Sequence, residues 1–315
     1  MVTSTPPYPS GIDREVAVSV EHPVPILEAE HIAKRYGAPS GRLLGRFSRS
    51  GTGVHGSGTH GPDANSGIAL RDVSLSVREG ECLAIIGASG SGKTTLTRIL
   101  LGIRQADSGR IRYRGQAIGE HPEAYEALRR ESAMVFQNPH SSLDPRWTVS
   151  RSIAEPLRIR GVEMSSDTHR AASRHDLTEN IEESVRLVMR RVGLDDAALY
   201  DRYPMDLSGG QAQRVAIARA LISRPKLLLA DEAMSAVDMH ARIQILRTLE
   251  SLRTTEDSET MTMLLVSHDL GVVQHIADSI LVLREGEVVE FGSAAAVLEE
   301  PQQEYTKALI AAATL

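Results

Sequence analysis

The amino-acid sequence predicts an α/β fold in which a mainly parallel sheet is interrupted by a helical insertion. Two patterns lead to this prediction. Short apolar strands alternate with helical segments in the first and last parts of the chain, which is typical of parallel sheets. Between residues 138 and 207, helical spacing and polar loops replace the strand signals. At 315 residues, 41% hydrophobic and 24% charged, the chain is long enough for one large domain or two smaller ones.

Net charge and cysteine content exclude several classes of protein. With 35 Lys and Arg against 41 Asp and Glu, the net charge of −6 gives no general attraction toward nucleic acid or anionic lipid. The single cysteine, Cys82, excludes an internal disulfide and a metal site built from several thiolates. No run approaches the roughly 18 apolar residues that span a bilayer. We therefore expect a chain that does not cross a membrane alone and resides in a reducing compartment.

The first part of the chain is predicted to contain a tail, an insertion and three strands. Residues 1–22 are expected to form a flexible tail. An extended segment, 26–36, precedes a Gly-rich insertion, 38–67, and near-alternate apolar residues in 70–77 predict a half-buried strand. The continuous apolar run Cys82–Ile86 predicts a central strand, because both of its faces are apolar.

The remaining elements are predicted from similar signals. A helix begins at Lys93 and ends at Gly102, which suits the left-handed cap that ends many helices. Apolar residues at helical spacing before Gly193 predict a helix within the insertion. Strand and helix signals alternate again after residue 212, with apolar strands at 227–230, 263–266 and 280–283.

The strongest motif follows the predicted central strand and precedes a helix. It matches the pattern G-x-x-x-x-G-K-[ST] of a phosphate-binding loop, in the context that this pattern requires. Glycines let successive backbone N–H groups point at phosphate oxygens, Lys93 reaches the β and γ phosphates, and Thr94 ligates Mg²⁺. The predicted nucleotide-binding residues are Gly87, Ala88, Ser89, Gly90, Ser91, Gly92, Lys93, Thr94 and the adjacent Thr95.

Two acids follow the apolar strand at 227–230. Ligands of open α/β sheets bind beyond the carboxyl ends of the strands. Asp231 is therefore a candidate to hold Mg²⁺, and Glu232 is a candidate to polarise the attacking water. A pair of acids at a strand end is also typical of a solvated turn, but the phosphate loop favours the catalytic interpretation.

A second turn offers backbone donors at the start of a helix. In Leu207-Ser208-Gly209-Gly210-Gln211, Ser208 suits a helix N-cap and the two glycines expose further N–H groups. This turn is a second candidate anion site. Two half-sites, the phosphate loop and this turn, suggest a shared nucleotide.

In this order, the motifs resemble those of the ATP-binding subunits of ABC (ATP-binding cassette) transporters. The segment 207–211 resembles the family's signature motif, which contacts the γ-phosphate of ATP held by an opposing subunit. The resemblance implies ATP and Mg²⁺ as cofactors and adds four residues to the site. They are Tyr36 for stacking on adenine, Gln137 for contact with Mg²⁺ and sensing of the membrane subunits, Asp238 for linking the two ATP sites, and His268 for contact with the γ-phosphate. Glu232, His268 and Gln137 are then the catalytic residues.

The resemblance also implies a domain organisation. It predicts a P-loop NTPase (RecA-like) core with a mainly parallel sheet, an antiparallel β subdomain and an inserted helical subdomain. We assign the nucleotide-binding core to 23–137 and 208–290, the helical subdomain to 138–207 and a C-terminal segment to 291–315.

Two segments, 136–146 and 301–309, resemble the branch of the family that imports peptides and nickel. The resemblance implies an ATPase subunit that energises uptake of oligopeptides, dipeptides or a solute such as a nickel chelate. Its implied partners are a second ATPase, in a homodimer or heterodimer, two transmembrane permease subunits and, indirectly, an extracytoplasmic solute-binding protein. The chain is then peripheral on the cytoplasmic face of the cell membrane and has no nucleic-acid partner.

Three alternatives stay open at the level of the sequence. A soluble ABC-type ATPase acting on nucleic acid or ribosomes is disfavoured by the acidic balance of the chain. A metabolic kinase leaves the segment 207–211 without a role. An ABC importer of an unrelated solute is compatible with every motif, because separate proteins select the solute.

Overall fold

A computed structural model of the chain describes residues 24–37, 67–167, 174–234, 237–253 and 260–313. The predicted tail, 1–22, and the Gly-rich insertion up to residue 66 lie outside the described residues. In chain order the strands are β1 (Leu27–Tyr36), β2 (Gly67–Val77), β3 (Cys82–Ile86), β4 (Ser108–Tyr113), β5 (Gln116–Ala117), β6 (Ser132–Val135), β7 (Leu227–Asp231), β8 (Thr262–Val266), β9 (Ser279–Arg284) and β10 (Glu287–Ser293). The helices are α1 (Lys93–Leu100), α2 (Pro122–Glu131), α3 (Pro139–Ser142), α4 (Val149–Asp167), α5 (Arg174–Arg191), α6 (Gly209–Leu221), α7 (Met239–Arg253), α8 (Leu270–Ile276), α9 (Ala294–Glu299) and α10 (Glu304–Ala313).

The larger sheet has six strands in the order β10-β9-β3-β8-β7-β6. All neighbours from β9 to β6 are parallel, and β10 pairs antiparallel with β9 at one edge. β3 lies inside the sheet and is buried along its whole length, so the predicted central strand is confirmed. The carboxyl ends of the parallel strands β6, β7, β8 and β3 lie together along one edge of the sheet, which we call the carboxyl edge.

The smaller sheet is antiparallel and has four strands in the order β2-β1-β4-β5. Leu27 of β1 lies opposite Val77 of β2 on one side and Tyr113 of β4 on the other. This sheet confirms the antiparallel β subdomain that the family resemblance implied. It also meets the larger sheet, because the backbone N–H of Arg71 donates to the carbonyl oxygen of Gly286 at 2.9 Å.

Two hydrophobic cores cover the two faces of the six-stranded sheet. Cys82, Ala84 and Ile86 of β3 face a core shared with α6 and the helices of the insertion. Leu83 and Ile85 alternate with them and face a core shared with α1 and the antiparallel sheet. Since side chains alternate along a strand, burial on both faces fixes the register of β3 and the position of the loop that follows it.

The inserted helical subdomain is also present. Between β6 and β7 the described residues form helices and turns, of which α3, α4 and α5 contact α6. The predicted fold class is therefore confirmed, while the exact domain boundaries stay predictions. The strand β10 continues to Ser293, past the predicted boundary at residue 290. Among the described helices, none combines the length and the apolar character needed to cross a membrane.

Candidate nucleotide-binding site

The phosphate loop is tightly folded between β3 and α1. Gly87 and Gly92 have positive φ angles of 151° and 108°, which side-chain-bearing residues rarely adopt. A Cβ atom at Gly87 would lie 2.1 Å from the carbonyl oxygen of Leu283, and one at Gly92 would lie 2.5 Å from that of Ala69. These two positions therefore require glycine both for their backbone conformation and for space.

Lys93 is buried beneath the phosphate loop with only 8% of its surface exposed. Its Nζ donates to the carbonyl oxygens of Gly87 at 2.8 Å and Ala88 at 2.9 Å. Burial lowers the pKa of Lys93, while the carboxylates of Glu232 and Asp231 act in the opposite direction. The buried hydroxyl of Ser91 has no hydrogen-bond partner among the described residues. A buried cation bonded to neutral carbonyls, next to an unpartnered hydroxyl, fits a phosphate ligand.

Three predicted catalytic residues meet at the carboxyl edge. Gln137 follows β6, Glu232 follows β7 and His268 follows β8. The Nε2 of Gln137 donates to Oε2 of Glu232 at 2.7 Å, and Nδ1 of His268 lies 3.7 Å from Oε1 of the same carboxylate. The side chain of Glu232 is 23% exposed and that of His268 is 65% exposed. Each carboxylate oxygen thus faces a different neighbour, and the group remains accessible to solvent.

The backbone of Glu232 is strained. Its φ angle is +48°, a left-handed conformation that costs a residue with a side chain about 1–2 kcal/mol. Its N–H donates to the carbonyl oxygen of Val266 at 2.9 Å, which ties the end of β7 to the end of β8. A strained residue that is held in place by its neighbours is a frequent feature of functional sites.

Asp231 is the last residue of β7 and fits a cation. Burial raises the pKa of Asp231, the charge of Glu232 raises it further, and Arg98 and Lys93 act against both. A divalent cation would relieve this crowding of negative charge. The carboxylate of Asp231, the hydroxyl of Thr94 and the amide oxygen of Gln137 are oxygen ligands of the kind that Mg²⁺ prefers.

Tyr36 lies at the end of β1 beside the helix that follows the phosphate loop. Its hydroxyl oxygen is 3.4 Å from Oγ1 of Thr95, which is in the first turn of α1. The guanidinium group of Arg104 lies 5.0 Å from the centre of the Tyr36 ring. Tyr36 is therefore close enough to the loop to contact a base whose phosphates the loop holds, with Arg104 on one face of the ring.

Ser208 caps helix α6, as the sequence predicts. The N–H of Gln211 donates to Oγ of Ser208 at 3.2 Å, and the N–H of Ser208 donates to Oε1 of Gln211 at 3.0 Å. Ser208 is exposed and Gln211 is half-buried, and the two residues bond to each other rather than to the phosphate loop. Asp238 is a cap as well, since its Oδ1 accepts the N–H of Ala241 in α7 at 2.9 Å.

Sequence reasoning missed two supports of the site. Gln213 is fully buried in α6, and its Nε2 donates to the carbonyl oxygen of Phe136, the residue before Gln137, at 3.4 Å. Arg242 of α7 donates to the carboxylate of Asp269, the residue after His268, at 2.6 Å. The partners of both contacts are distant in sequence, so no local motif marks them. The one signal in the sequence was the amide side chain of Gln213 among the apolar residues of α6.

A comparison with known protein families shows which family these features belong to. The family profile described as "ABC transporter" matches residues 70–235, which include the phosphate loop, Ser208 and Glu232. The chain belongs to the ABC transporter family. The resemblance inferred from the motifs is therefore confirmed.

Known relatives lie in the peptide importer branch of this family. The oligopeptide transport ATP-binding protein OppF of Escherichia coli (strain K12) is 38% identical over 245 residues, covering 78% of this chain and 69% of OppF. The glutathione import ATP-binding protein GsiA of Shigella flexneri serotype 5b (strain 8401) is 38% identical over 311 residues, covering 94% of this chain. The chain spans 44% of the length of that GsiA.

A solved structure supports the same fold. The ATP-binding cassette MJ0796, a dimer in a post-hydrolysis state bound to ADP and Pi, matches with a TM-score of 0.62 and 25% identity. The match covers 85% of this chain and 98% of that chain. The P-loop NTPase core expected from the sequence is thus found in a solved relative.

Proposed function

We propose that this chain is the ATP-hydrolysing subunit of an ABC importer that energises uptake of oligopeptides, dipeptides, glutathione or a related small solute such as a nickel chelate. The observation that carries the proposal is the position of Glu232. Its carboxylate lies between Gln137 and His268, at the same sheet edge as the phosphate loop. The substrate class is supported by the names of the relatives OppF and GsiA.

Nucleotide binding is assigned to the loop and its neighbours. Backbone N–H groups of the loop and the start of α1 would bind the phosphates, and Lys93 would exchange its bonds to Gly87 and Ala88 for phosphate oxygens. Tyr36 would stack on adenine. Mg²⁺, when bound, neutralises charge on the β- and γ-phosphate oxygens, and Thr94, Asp231 and Gln137 are the residues that would hold it.

Hydrolysis is assigned to Glu232. Its carboxylate would orient a water molecule and accept a proton as the water oxygen bonds to the γ-phosphorus and the bond to the β–γ bridging oxygen breaks. Gln137 fixes the orientation of this carboxylate through the bond to Oε2. His268, next to the other oxygen and largely exposed, is placed to contact the γ-phosphate.

The exposed N-terminus of α6 supports a pocket shared by two subunits. Ser208 and Gly209 are exposed at this helix start, so a nucleotide held by a second ATPase would complete the site. The likeness to the import ATP-binding proteins OppF and GsiA supports the remaining proposed partners, which are two transmembrane permease subunits and, indirectly, an extracytoplasmic solute-binding protein. The chain would then lie at the cytoplasmic face of the cell membrane.

The substitution Glu232→Gln tests the assigned base. We expect steady-state ATP hydrolysis to fall by about 10²–10⁴-fold, because loss of a positioned general base has this effect. Binding of ATP should be retained. Glu285→Gln is the matched control, since Glu285 is an exposed glutamate with a similar φ angle of +50°. Unchanged hydrolysis in Glu232→Gln would contradict the assignment.

An uptake experiment tests the substrate class. In cells whose own copy of this gene is deleted, uptake of a labelled dipeptide, oligopeptide, glutathione or nickel chelate is measured separately. We expect one of these to be lost, restored by the wild-type chain and not restored by Glu232→Gln. Normal uptake of all four would show that the importer acts on another solute.

A further inference from the structure

Helix α10 of the C-terminal segment touches the phosphate loop directly. The backbone N–H of Ala88 donates to the hydroxyl oxygen of Tyr305 at 3.0 Å. Tyr305 is in the first turn of α10, and the guanidinium group of Arg284, at the end of β9, lies 5.0 Å from the centre of its ring. The ring is thus held between its own helix and the larger sheet, with its hydroxyl at the loop.

The start of α10 is anchored to the same sheet. The carboxylate of Glu290, in β10, accepts the N–H of Gln302 at 2.8 Å and that of Gln303 at 3.3 Å. Backbone donors at the start of a helix have no partners within the helix, so an acceptor on another element satisfies them. Glu290 therefore fixes the first turn of α10, and with it Tyr305, relative to the sheet.

The remainder of α10 also borders the nucleotide site. Leu309, Ala312 and Ala313 line a cavity together with Gly87 of the loop and His268. Contact between the C-terminal segment and the site is therefore not limited to one hydrogen bond.

The bond to Tyr305 complements the bond from Lys93. The side chain of Ala88 is exposed and does not anchor the loop, whereas its carbonyl oxygen accepts from Lys93 and its N–H donates to Tyr305. When Lys93 moves its ammonium group to a phosphate, the carbonyl loses this bond. The hydroxyl of Tyr305 then still holds the second residue of the loop in place.

We propose that Tyr305 is a positioning residue for nucleotide binding, which fixes the phosphate loop through the backbone of Ala88 and makes nucleotide affinity depend on the docking of α10. This inference rests on the proposed function. Tyr305 contacts the loop backbone and takes no part in the chemistry.

Titration of ADP with Mg²⁺ into the full-length chain tests the proposal, since ADP needs the loop and is not hydrolysed. Tyr305→Phe removes only the hydroxyl, and we expect the Kd to rise by about 3- to 10-fold, as for one lost hydrogen bond. Tyr125→Phe is the matched control. Its hydroxyl also bonds to a backbone group, the carbonyl of Gly102 at 3.4 Å, and Arg129 lies 5.9 Å from its ring centre. This control should leave the Kd unchanged.

A second variant examines the anchor. Glu290→Ala should raise the Kd by a similar factor, and the double variant with Tyr305→Phe should show no further increase, because both act on the same contact. Thermal unfolding without nucleotide separates positioning from stability. A lowered Tm with an unchanged Kd in Tyr305→Phe, or an equal effect of Tyr125→Phe, would overturn the proposal.

The Lys93→Ala variant separates this proposal from the proposed function. If the wild-type chain binds ADP and Lys93→Ala does not, the nucleotide site is supported. A Kd for Tyr305→Phe within twofold of wild type would then overturn the role of Tyr305 alone. If the wild-type chain binds no ADP, both proposals fail.

Discussion

At the scale of single residues, burial controls the charges of the site. The pKa of Lys93 is lowered and that of Asp231 is raised, in both cases mainly because burial disfavours the ionised form. Oppositely charged neighbours reduce both effects. The ionised groups therefore lower the stability of the nucleotide-free protein, and ligands of opposite charge, a phosphate for Lys93 and a cation for Asp231, would remove this cost.

The substitution Asp231→Asn should raise the stability of the nucleotide-free chain at pH 7.5. The pKa of Asp231 is higher in the folded chain than its ordinary value of 3.8. The contribution of this carboxyl group to the free energy of unfolding is therefore fully present below pH 3.8 and is lost as the pH rises through the folded-state pKa. A neutral amide avoids this loss. At pH 7.5 the Tm of Asp231→Asn should exceed that of the wild-type chain, by about 2–4 °C for each kcal/mol of added stability. Below the ordinary carboxyl pKa the two Tm values should be equal. Asp195→Asn, which removes an exposed carboxylate, is the control, and a lower Tm for Asp231→Asn at pH 7.5 would contradict the prediction.

Cys82 should be unreactive in the folded protein. Burial raises the pKa of its thiol to about 12, although the charge of Arg253 acts against this effect. Because the thiolate is the reactive form, a disulfide reagent at pH 8 should label almost no native chain. In denaturant it should label one thiol per chain, since Cys82 is the only cysteine. Rapid labelling of the native protein at pH 8 would contradict this prediction and would show that the start of β3 becomes exposed to solvent.

At the scale of elements, the turn before α6 has a structural role that its sequence did not reveal. The two glycines at 209–210 predict exposed backbone donors, but Gly210 is buried. A Cβ atom at Gly210 would lie 2.5 Å from Cβ of Ala241, which is in α7. Gly210 therefore allows α6 and α7 to pack closely.

Gly210→Ala should lower the free energy of unfolding. Overpacking of a filled contact costs about 1–3 kcal/mol, and chemical denaturation of the full-length chain measures the loss. Ala241→Gly removes the opposing Cβ, so the double variant should recover part of the stability that Gly210→Ala loses. If the double variant is less stable than Gly210→Ala alone, the contact between Gly210 and Ala241 does not limit the packing of α6 against α7, and the prediction is wrong.

The elements that the sequence predicts differ physically from those it misses. The strands β3, β7, β8 and β9 lie inside the larger sheet and are continuous apolar runs, so their residues alone predict them. The missed strands of that sheet, β6 and β10, form its two edges and are only partly buried. An edge strand pairs on one side and needs no apolar run.

The same distinction applies to the site. The phosphate loop and the acids 231–232 are contiguous motifs and can be predicted. By contrast, the contacts that position them join residues far apart in sequence: Tyr305 is 217 residues from Ala88, and Gln213 is 77 residues from Phe136. Neither pair has a local pattern. The sequence therefore predicts the groups that we assign to binding and reaction, whereas the residues that position those groups become visible only in the folded structure.

At the scale of the whole molecule, the proposed function requires two separate halves of a nucleotide site. The phosphate loop lies at the carboxyl edge, whereas Ser208 caps an exposed helix start whose side chains bond to each other. Under this proposal, a single copy does not use the half-site at the start of α6. Pairing of two cassettes, as in the dimeric solved relative MJ0796, would bring each α6 to the nucleotide of the other subunit.

Nucleotide-dependent pairing is the last prediction. Without nucleotide, the Glu232→Gln chain should have the mass of one chain, 34.2 kDa, and with ATP and Mg²⁺ it should have twice that mass, because ATP that is not hydrolysed keeps the shared pocket closed. Light scattering during size-exclusion chromatography measures both states. Adding Ser208→Arg should restore the single-chain mass, since an arginine at the N-cap would obstruct the half-site. Ser293→Arg is the matched control, as Ser293 is an exposed N-cap of α9. A Ser208→Arg chain that still doubles its mass would contradict the shared pocket, and a Glu232→Gln chain that never doubles would contradict pairing of the chain with itself.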